Sequence, residues 1–366
     1  MKILLSTALF YPSRLGGPAN TLYWLAKALV REGIEVFVIT TDSCIEAGKV
    51  IPDTWYDIDG IKVRYCKAGK WCIFKELWNT WKIINKCNTV LLCDIFQRQV
   101  LPVAFMARIF RKHIIWSPRG ELFEPALEGN NIKLWYINIV KKCFSKHATF
   151  HATSFEEREM ILKHFGKDSK IVIIPNYIEI PQQLKREQQS VPYFLFVGRV
   201  NRIKALDRLI LGFAKSEHFK QSKYKLIIAG PNQNNYRQEL ETLIIENDLC
   251  GRVEFIDGVF GQEKYQLFAN AHYSCLLSHS ENFGNVVIEA LSQGTPVIAS
   301  TGTPWQSLND NNAGFWIDNT PESIACCIDK IMEFTEQQYA DMRHNAFELA
   351  TSFDVYKNID RWIKVI

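Results

Sequence analysis

The stretch from Ser278 to Thr301, S-H-S-E-N-F-G-N-V-V-I-E-A-L-S-Q-G-T-P-V-I-A-S-T, constrains this chain more than any other. An apolar run, Cys275 to Leu277, leads into a polar turn carrying Glu281 and Gly284. Apolar residues at helical spacing follow from Val286 to Leu291, Gly294 is a stop, and Pro296 to Ala299 reads as a second strand. That order is a βαβ unit, which belongs in a parallel sheet covered by helices. A glycine turn feeding a helix N-terminus offers unpaired N–H groups and the positive end of the helix dipole, both attractive to an anion. Glu281 and Glu289 share this turn and helix, and carboxylates accept hydrogen bonds from sugar hydroxyls. A nucleotide sugar meets both demands, although ordinary helix capping would explain the glycine turn taken alone.

The rest of the chain repeats the pattern. Lys2 to Leu5 reads as a buried strand, the loop Ser6 to Pro18 holds Gly16-Gly17, a helix is expected from about Ala19 to Glu32, and Glu35 to Thr40 is the next strand. Asp59-Gly60 predicts a hairpin turn. Helices are expected over 70–86, 101–110 and 133–146, and strands over 90–96, 113–116 and 149–153. Ser154-Phe-Glu-Glu157 reads as a capping box. Strand Ile171 to Ile174 ends at Pro175-Asn176, and the polar segment Pro181 to Pro192 reads as a linker. A second alternation of strands and helices begins at Tyr193. With 366 residues, two domains are expected: 1–180, a linker at 181–192, and 193–366, with the final helix packing back on the first domain. Two parallel-sheet domains in tandem would leave a cleft at their strand ends.

Charge and cysteine usage narrow the class. Residues 1–180 hold 25 Lys and Arg against 17 Asp and Glu, whereas the remainder holds 18 against 22. A basic first half suits phosphates or an anionic membrane surface, or is simply a solvated face. The ten cysteines form no C-x-x-C pair and no His/Cys cluster at metal spacing, and several sit in apolar runs. They read as buried thiols of a reducing compartment. The run Met1 to Phe10 passes into Tyr11-Pro12 without a cleavage pattern, and no apolar run approaches the ~18 residues of a membrane span, so a cytoplasmic protein is expected. Aromatic and basic residues on the helices expected over 70–86 and 133–146 suit either core packing or a membrane surface.

Three phosphate-suited features fall at strand ends: Gly16-Gly17, Gly198-Arg199 with Lys204, and Phe283-Gly284-Asn285. With these residues in place, the chain resembles the retaining glycosyltransferases of the GT4 type. The resemblance rests on E-x7-E from Glu281 to Glu289 followed by G-T-P-V-I-A-S, on G-R-x4-K at Arg199 to Lys204, and on I-P-N at Ile174 to Asn176. It also rests on A-G-P at Ala229 to Pro231 and T-S-x-x-E at Thr153 to Glu157. It covers nearly the whole chain and implies the GT-B fold, two Rossmann-like doubly wound domains facing a cleft.

Carried over residue by residue, the resemblance implies that Arg199 and Lys204 neutralise the diphosphate of a nucleotide sugar. Glu289 would accept from ribose hydroxyls, and Glu281, beside Asn282, would sit at the donor sugar. Amides from Phe283 to Asn285 would hold phosphate and sugar oxygens, Gly16 and Gly17 would let the first loop approach the diphosphate, and Val259 would line the base pocket. No metal and no cofactor is implied, and a UDP-sugar is favoured over a GDP-sugar. The implied acceptor is a glycan or lipid-linked glycan of a surface polysaccharide or lipopolysaccharide pathway, at the inner face of the membrane; no nucleic-acid partner is expected. A non-catalytic nucleotide-sugar-binding subunit and a nucleotide-sugar epimerase of the same architecture are the rival readings. Many members carry a catalytic-site histidine where this chain has W-S-P-R-G, Trp116 to Gly120, so Arg119 is the nearest functional group there, expected either to contact the acceptor or the donor phosphate as part of the catalytic set or to brace the loop. Positions usually glycine are Ala19 and Ala205 here. His151 and His279 are expected to be structural.

Overall fold

The computed structural model describes residues 1–13, 16–127, 129, 131–233 and 235–366. It divides into two compact units, Met1–Glu179 with Asp354–Ile366, and Ile180–Phe353.

The first unit carries strands β1 (Lys2–Ser6), β2 (Glu35–Thr41), β3 (Trp55–Ile58), β4 (Ile61–Cys66), β5 (Thr89–Cys93), β6 (His113–Ser117), β7 (Ala148–Ala152) and β8 (Lys170–Ile173). They form one sheet in the order β3-β4-β2-β1-β5-β6-β7-β8, parallel except for the antiparallel β3–β4 hairpin at one edge. Asp59 and Gly60 both take positive φ, 51° and 79°, the backbone that a two-residue hairpin turn requires. β5, T-V-L-L-C, is buried at every residue, as a central parallel strand covered on both faces must be. Helices α1 (Gly16–Arg31), α2 (Cys72–Ile84), α3 (Val100–Ile109), α4 (Glu124–Leu127), α5 (Asn131–Phe144) and α6 (Phe155–Phe165) connect the strands. On one sheet face Leu4, Ile39, Leu92, Trp116 and Phe150 pack with apolar residues of α2, α3, α5 and α6 in one continuous core. Each such side chain, fully buried, contributes about 1.5–3 kcal/mol.

The second unit has a six-stranded parallel sheet built from β9 (Tyr193–Val197), β10 (Lys225–Ala229), β11 (Val253–Ile256), β12 (Tyr273–Leu276), β13 (Val297–Ser300) and β14 (Gly314–Ile317). Its order is β11-β10-β9-β12-β13-β14. The helices are α7 (Leu206–Lys215), α8 (Glu217–Gln221), α9 (Tyr236–Glu246), α10 (Gly261–Asn270), α11 (Asn285–Leu291), α12 (Ser307–Asp310), α13 (Pro321–Met332) and α14 (Glu336–Thr351). Thr320 caps α13 ahead of Pro321, and Thr335 with Gln338 forms a full capping box on α14. The order reverses between β9 and β12, and in open parallel sheets ligands bind beside such a switch point, at the strands' C-terminal ends.

Two expectations need amendment. Gly16 and Gly17 are not in a loop but open α1, because Pro18 falls in the first turn, where its missing N–H removes no helical bond. The segment 181–192 is counted with the second unit: Leu184 N–H donates to Gln293 Oε1 (2.9 Å) and Glu187 N–H to Asn270 Oδ1 (2.9 Å). At the end of the chain, α15 (Val355–Asn358) and α16 (Asp360–Ile363) group with the first unit, where Val355 N–H donates to Ile178 O (2.9 Å) and Trp362 lies 4.6 Å from the His151 ring.

Candidate functional site

In the second unit the turns after β9 and β12 bring the expected acids and bases together. After β9 the chain passes Gly198 and the exposed Arg199, makes a short 3-10 turn over Arg202–Lys204, and enters α7 through Ala205 in the left-handed region, φ 50°. Gly230 is required here, because a Cβ on it would lie 1.8 Å from Gly198 O. That close approach explains the A-G-P sequence. After β12, Ser278 is buried and Gly284, φ 81°, opens α11; a Cβ there would meet Leu276 Cδ2 at 2.7 Å. His279 N–H donates to Ile203 O at 2.8 Å, so the two turns are bonded to each other.

As a result Lys204 Nζ pairs with Glu281 Oε1, both side chains being only 14% exposed. The same carboxylate oxygen accepts from Ser278 Oγ at 2.9 Å, and Glu281 N–H donates to Gly302 O at 2.9 Å. Arg202 is engaged by Glu239, whereas Arg199 makes no ion pair among the described residues. Phe283 is buried against Trp305, whose indole N–H donates to Phe283 O at 2.5 Å, and this fixes the path of the chain through Asn282 and Asn285. Glu289, on α11, is buried and receives Lys264 Nζ at 2.7 Å. Lys264, on α10, escaped the sequence reading: one lysine in an amphipathic helix carries no spacing signal. Val259 is half-buried between β11 and α10.

In the first unit the site-like residues are organised differently. Arg119 follows β6 with φ 52°, and its Nε has no hydrogen-bond partner among the described residues. Its charge opposes the effect of burial on the Glu157 and Asp94 carboxyl groups. Glu157 is fully buried; it accepts from Gly120 N–H (2.7 Å), Thr153 N–H (2.7 Å) and Thr153 Oγ1 (2.8 Å). The capping box is therefore only half made: Ser154 Oγ receives Glu157 N–H, but the carboxylate reaches Thr153 and the loop after β6. Burial and the neighbouring Glu121 carboxylate push Asp94 up to about 7.

His151 is buried, with Nε2 2.8 Å from Ile174 O and Nδ1 2.8 Å from Ser117 Oγ. A carbonyl only accepts, so Nε2 carries the hydrogen and Nδ1 accepts from the serine. Burial, with Arg119 adding to it, pushes this ring down to about 3, so the neutral tautomer ties β6, β7 and the end of β8 together. His279 is exposed and contacts Asn319. A separate cavity of about 340 Å³ lies at the ends of β2, β4 and β5, with Ser43, Lys70, Glu76, Arg98 and Gln99 among its lining residues. Glu76 and Gln99 are each only 4% exposed, and Glu76 Oε1 and Gln99 Nε2 lack partners among the described residues.

Residues 15–180 match the family model described as Glycosyltransferase Family 4, and residues 178–349 match that of Glycosyl transferases group 1. The chain belongs to the GT4-type glycosyltransferases, with the GT-B fold. It is 26% identical over 226 residues to the O-antigen chain mannosyltransferase RfbU of Salmonella typhimurium, covering 61% of this chain and 60% of that one. It is 31% identical over 147 residues to the uncharacterized glycosyltransferase MJ1607 of Methanocaldococcus jannaschii, 40% of this chain and 37% of that one. The chain thus spans less than two thirds of either relative. The crystal structure of Anabaena HepE with UDP and glucose matches with a TM-score of 0.77 at 19% identity over the full length of both chains. WaaG, a glycosyltransferase involved in lipopolysaccharide biosynthesis, matches with a TM-score of 0.72 at 15% identity over 100% of this chain and 99% of that one.

Proposed function

We propose that this glycosyltransferase moves a sugar from a nucleotide diphosphate sugar to a hydroxyl of a glycan or lipid-linked glycan, with retention of anomeric configuration and without a metal ion. The observation that carries this reading is the Lys204–Glu281 pair, held on two hydrogen-bonded turns at the ends of β9 and β12. Breaking a glycosyl phosphate bond builds negative charge on the departing diphosphate, and fixed cations stabilise it in place of a metal. Lys204 and the exposed Arg199 supply them. As the diphosphate draws Lys204 away, Glu281 is left to accept from hydroxyls of the transferred sugar, and Glu289 accepts from the ribose. The bond from the anomeric carbon to the phosphate oxygen breaks, the acceptor oxygen bonds to that carbon on the same face, and its proton passes to the departing phosphate. No carboxylate in this scheme acts as a covalent nucleophile.

Gly16 and Gly17, opening α1, present backbone N–H groups to anionic oxygens. UDP is the favoured nucleotide. The mannosyltransferase RfbU and the Xanthomonas campestris enzyme named GDP-mannose:cellobiosyl-diphosphopolyprenol alpha-mannosyltransferase, 23% identical over 231 residues, support a surface-polysaccharide acceptor. The 340 Å³ cavity suits such an acceptor: Lys70 and Arg98 for phosphate, Glu76 and Gln99 for sugar hydroxyls. Thermal unfolding with a panel of nucleotide sugars tests the donor. The true donor at 100 times its dissociation constant adds about 2.7 kcal/mol to stability. Release of nucleoside diphosphate on adding an acceptor pool tests transfer. No stabilisation by any nucleotide sugar, with no release, would overturn the reading.

A further inference from the structure

Large apolar side chains are unevenly exposed over this molecule. Trp71, Phe74, Trp78 and Trp81 are 67%, 61%, 60% and 53% exposed, along one helix. At 100° per residue their spacing places all four within an arc of about 80°. The opposite side of α2 carries its buried residues, among them Cys72 and Glu76 at the cavity, and Ile83 and Ile84 in the core. The stripe is therefore surplus to the fold. The neighbouring helices extend it: Ile109 of α3 is 73% exposed, and Ile132 and Trp135 of α5 are 76% and 64% exposed. α2, α3 and α5 are one layer, joined by the Trp81–Phe110 and Phe105–Phe144 ring contacts at 5.0 Å each.

The charge on this layer is one-sided. Residues 70–86 hold four Lys, 99–112 hold three Lys and Arg, and 131–146 hold four Lys. Against these eleven cations stands a single acid, Glu76, which is buried. Lysine stems lie beside the exposed indoles: Lys82 Nζ is 4.9 Å from the centre of the Trp78 ring and Lys70 Nζ 5.9 Å from that of Trp71. Of these cations Lys75 is taken up by Asp53, at 2.5 Å, and the excess stays strongly positive. Exposed aromatics ringed by such an excess of cations match an anionic lipid surface, whose headgroups take the lysines while indole rings settle at the interface. No described helix is long and apolar enough to cross a membrane.

We propose that the α2–α3–α5 face docks on the surface of an anionic lipid bilayer, with α2 lying in the interface and its aromatic stripe entering it. α2 also lines the 340 Å³ cavity, so the bilayer surface then lies about one helix diameter, ~10 Å, from that cavity. The docking proposal stands independently of the donor assignment, because vesicle binding and nucleotide-sugar stabilisation are measured separately.

The test is flotation of the full chain with vesicles of phosphatidylglycerol and phosphatidylcholine, or of phosphatidylcholine alone. Tryptophan emission and its quenching by brominated lipid are read in the same samples. Binding is expected to the anionic vesicles only, to weaken with salt, and to come with a blue shift. The double variants Phe74→Ser/Trp78→Ser and Lys82→Gln/Lys86→Gln should each weaken it by about tenfold or more. Both pairs are exposed, so the thermal unfolding midpoint and nucleotide-sugar stabilisation should be unchanged, which separates loss of docking from loss of fold. No binding to anionic vesicles, or binding that both variants leave intact, overturns the proposal. So does self-association that Phe74→Ser/Trp78→Ser abolishes in a protein that ignores vesicles, because a second copy would then be the occupant.

Discussion

The two units place acids at the ends of parallel strands in opposite electrostatic settings. In the second unit each site carboxylate is matched with one lysine, Glu281 with Lys204 and Glu289 with Lys264. In the first, Glu157 is held by two backbone N–H groups and a hydroxyl, while Asp94 and Glu76 are pushed up to about 7 by burial. Ion pairing keeps charge available to a phosphate that competes for the lysine. Burial that outweighs any nearby cation, as it does at Asp94 despite Arg119, favours the protonated acid, which turns the group into a hydrogen-bond donor near neutrality. The carboxylates of the second unit are thus held as ion pairs, whereas Asp94 and Glu76 of the first are held toward the neutral form.

The sharpest way to break this contrast is to remove the cation of the second unit. Lys204→Ala deletes the proposed phosphate partner and leaves the largely covered Glu281 with Ser278 Oγ as its one side-chain donor among the described residues. Loss of one such electrostatic contact is worth about 10²–10³ in kcat, so transfer should fall by that factor while far-UV circular dichroism stays native. Unchanged turnover would remove Lys204 from the site.

The first unit makes the next prediction, through pH. Glu76 is buried, and its carboxyl is raised to about 7 from the usual 4.5. The native state then holds a proton that the unfolded chain has released. That contribution is complete below about pH 4.5 and is lost as pH rises through about 7. Its size is up to about 3 kcal/mol. Glu76→Gln abolishes the titration, so stability measured by urea between pH 5 and pH 8 should fall less steeply than in the parent chain. Parallel pH profiles would show that Glu76 is ionised in the fold.

How much of this was legible in the sequence follows from the same physics. Parallel strands buried on both faces read as unbroken apolar runs, so β1, β5, β9 and β12 were evident, and the glycines and cations after β9 and β12 marked the turns that the fold bonds together. Partners that a distant element supplies were not. Lys264 comes from α10, and Glu76 looked like one more charged residue among the lysines of its helix. Glu157 was visible as a cap, but its bond to Gly120 N–H depends on the position of the loop after β6. Gly16 and Gly17 were placed correctly in order but not in conformation, since local sequence does not decide where a helix begins within a turn.

Glu289 distinguishes binding from chemistry within the second unit. If it accepts from the ribose, the bond is equally strong in ground and transition states. Glu289→Gln should therefore raise the KM for the donor about tenfold, equivalent to about 1.4 kcal/mol, and leave kcat nearly unchanged. A fall in kcat with constant KM would move Glu289 from the ribose to the reacting sugar.

The smallest expected effect concerns two left-handed residues, one in each unit, Arg119 at φ 52° and Ala205 at φ 50°. Ala205 has the left-handed backbone that favours glycine, and that backbone costs a residue with a Cβ about 1–2 kcal/mol. Ala205→Gly relieves that strain. It also gives up a buried methyl, worth about 0.8 kcal/mol, and adds backbone freedom to the unfolded chain, worth about 0.5–1 kcal/mol. These terms nearly cancel, so the change in unfolding free energy should stay within about 1 kcal/mol, with kcat and KM unaltered. A loss above about 2 kcal/mol would mean that the Ala205 methyl holds the Lys204 turn in place, which makes α7 packing part of the donor site. The same backbone at Arg119 lacks this near-cancellation, because a side chain of that length has contacts to lose. Strain at Arg119 is retained beside Asp94 and Glu157, whereas at Ala205 it is a local substitution that the turn tolerates.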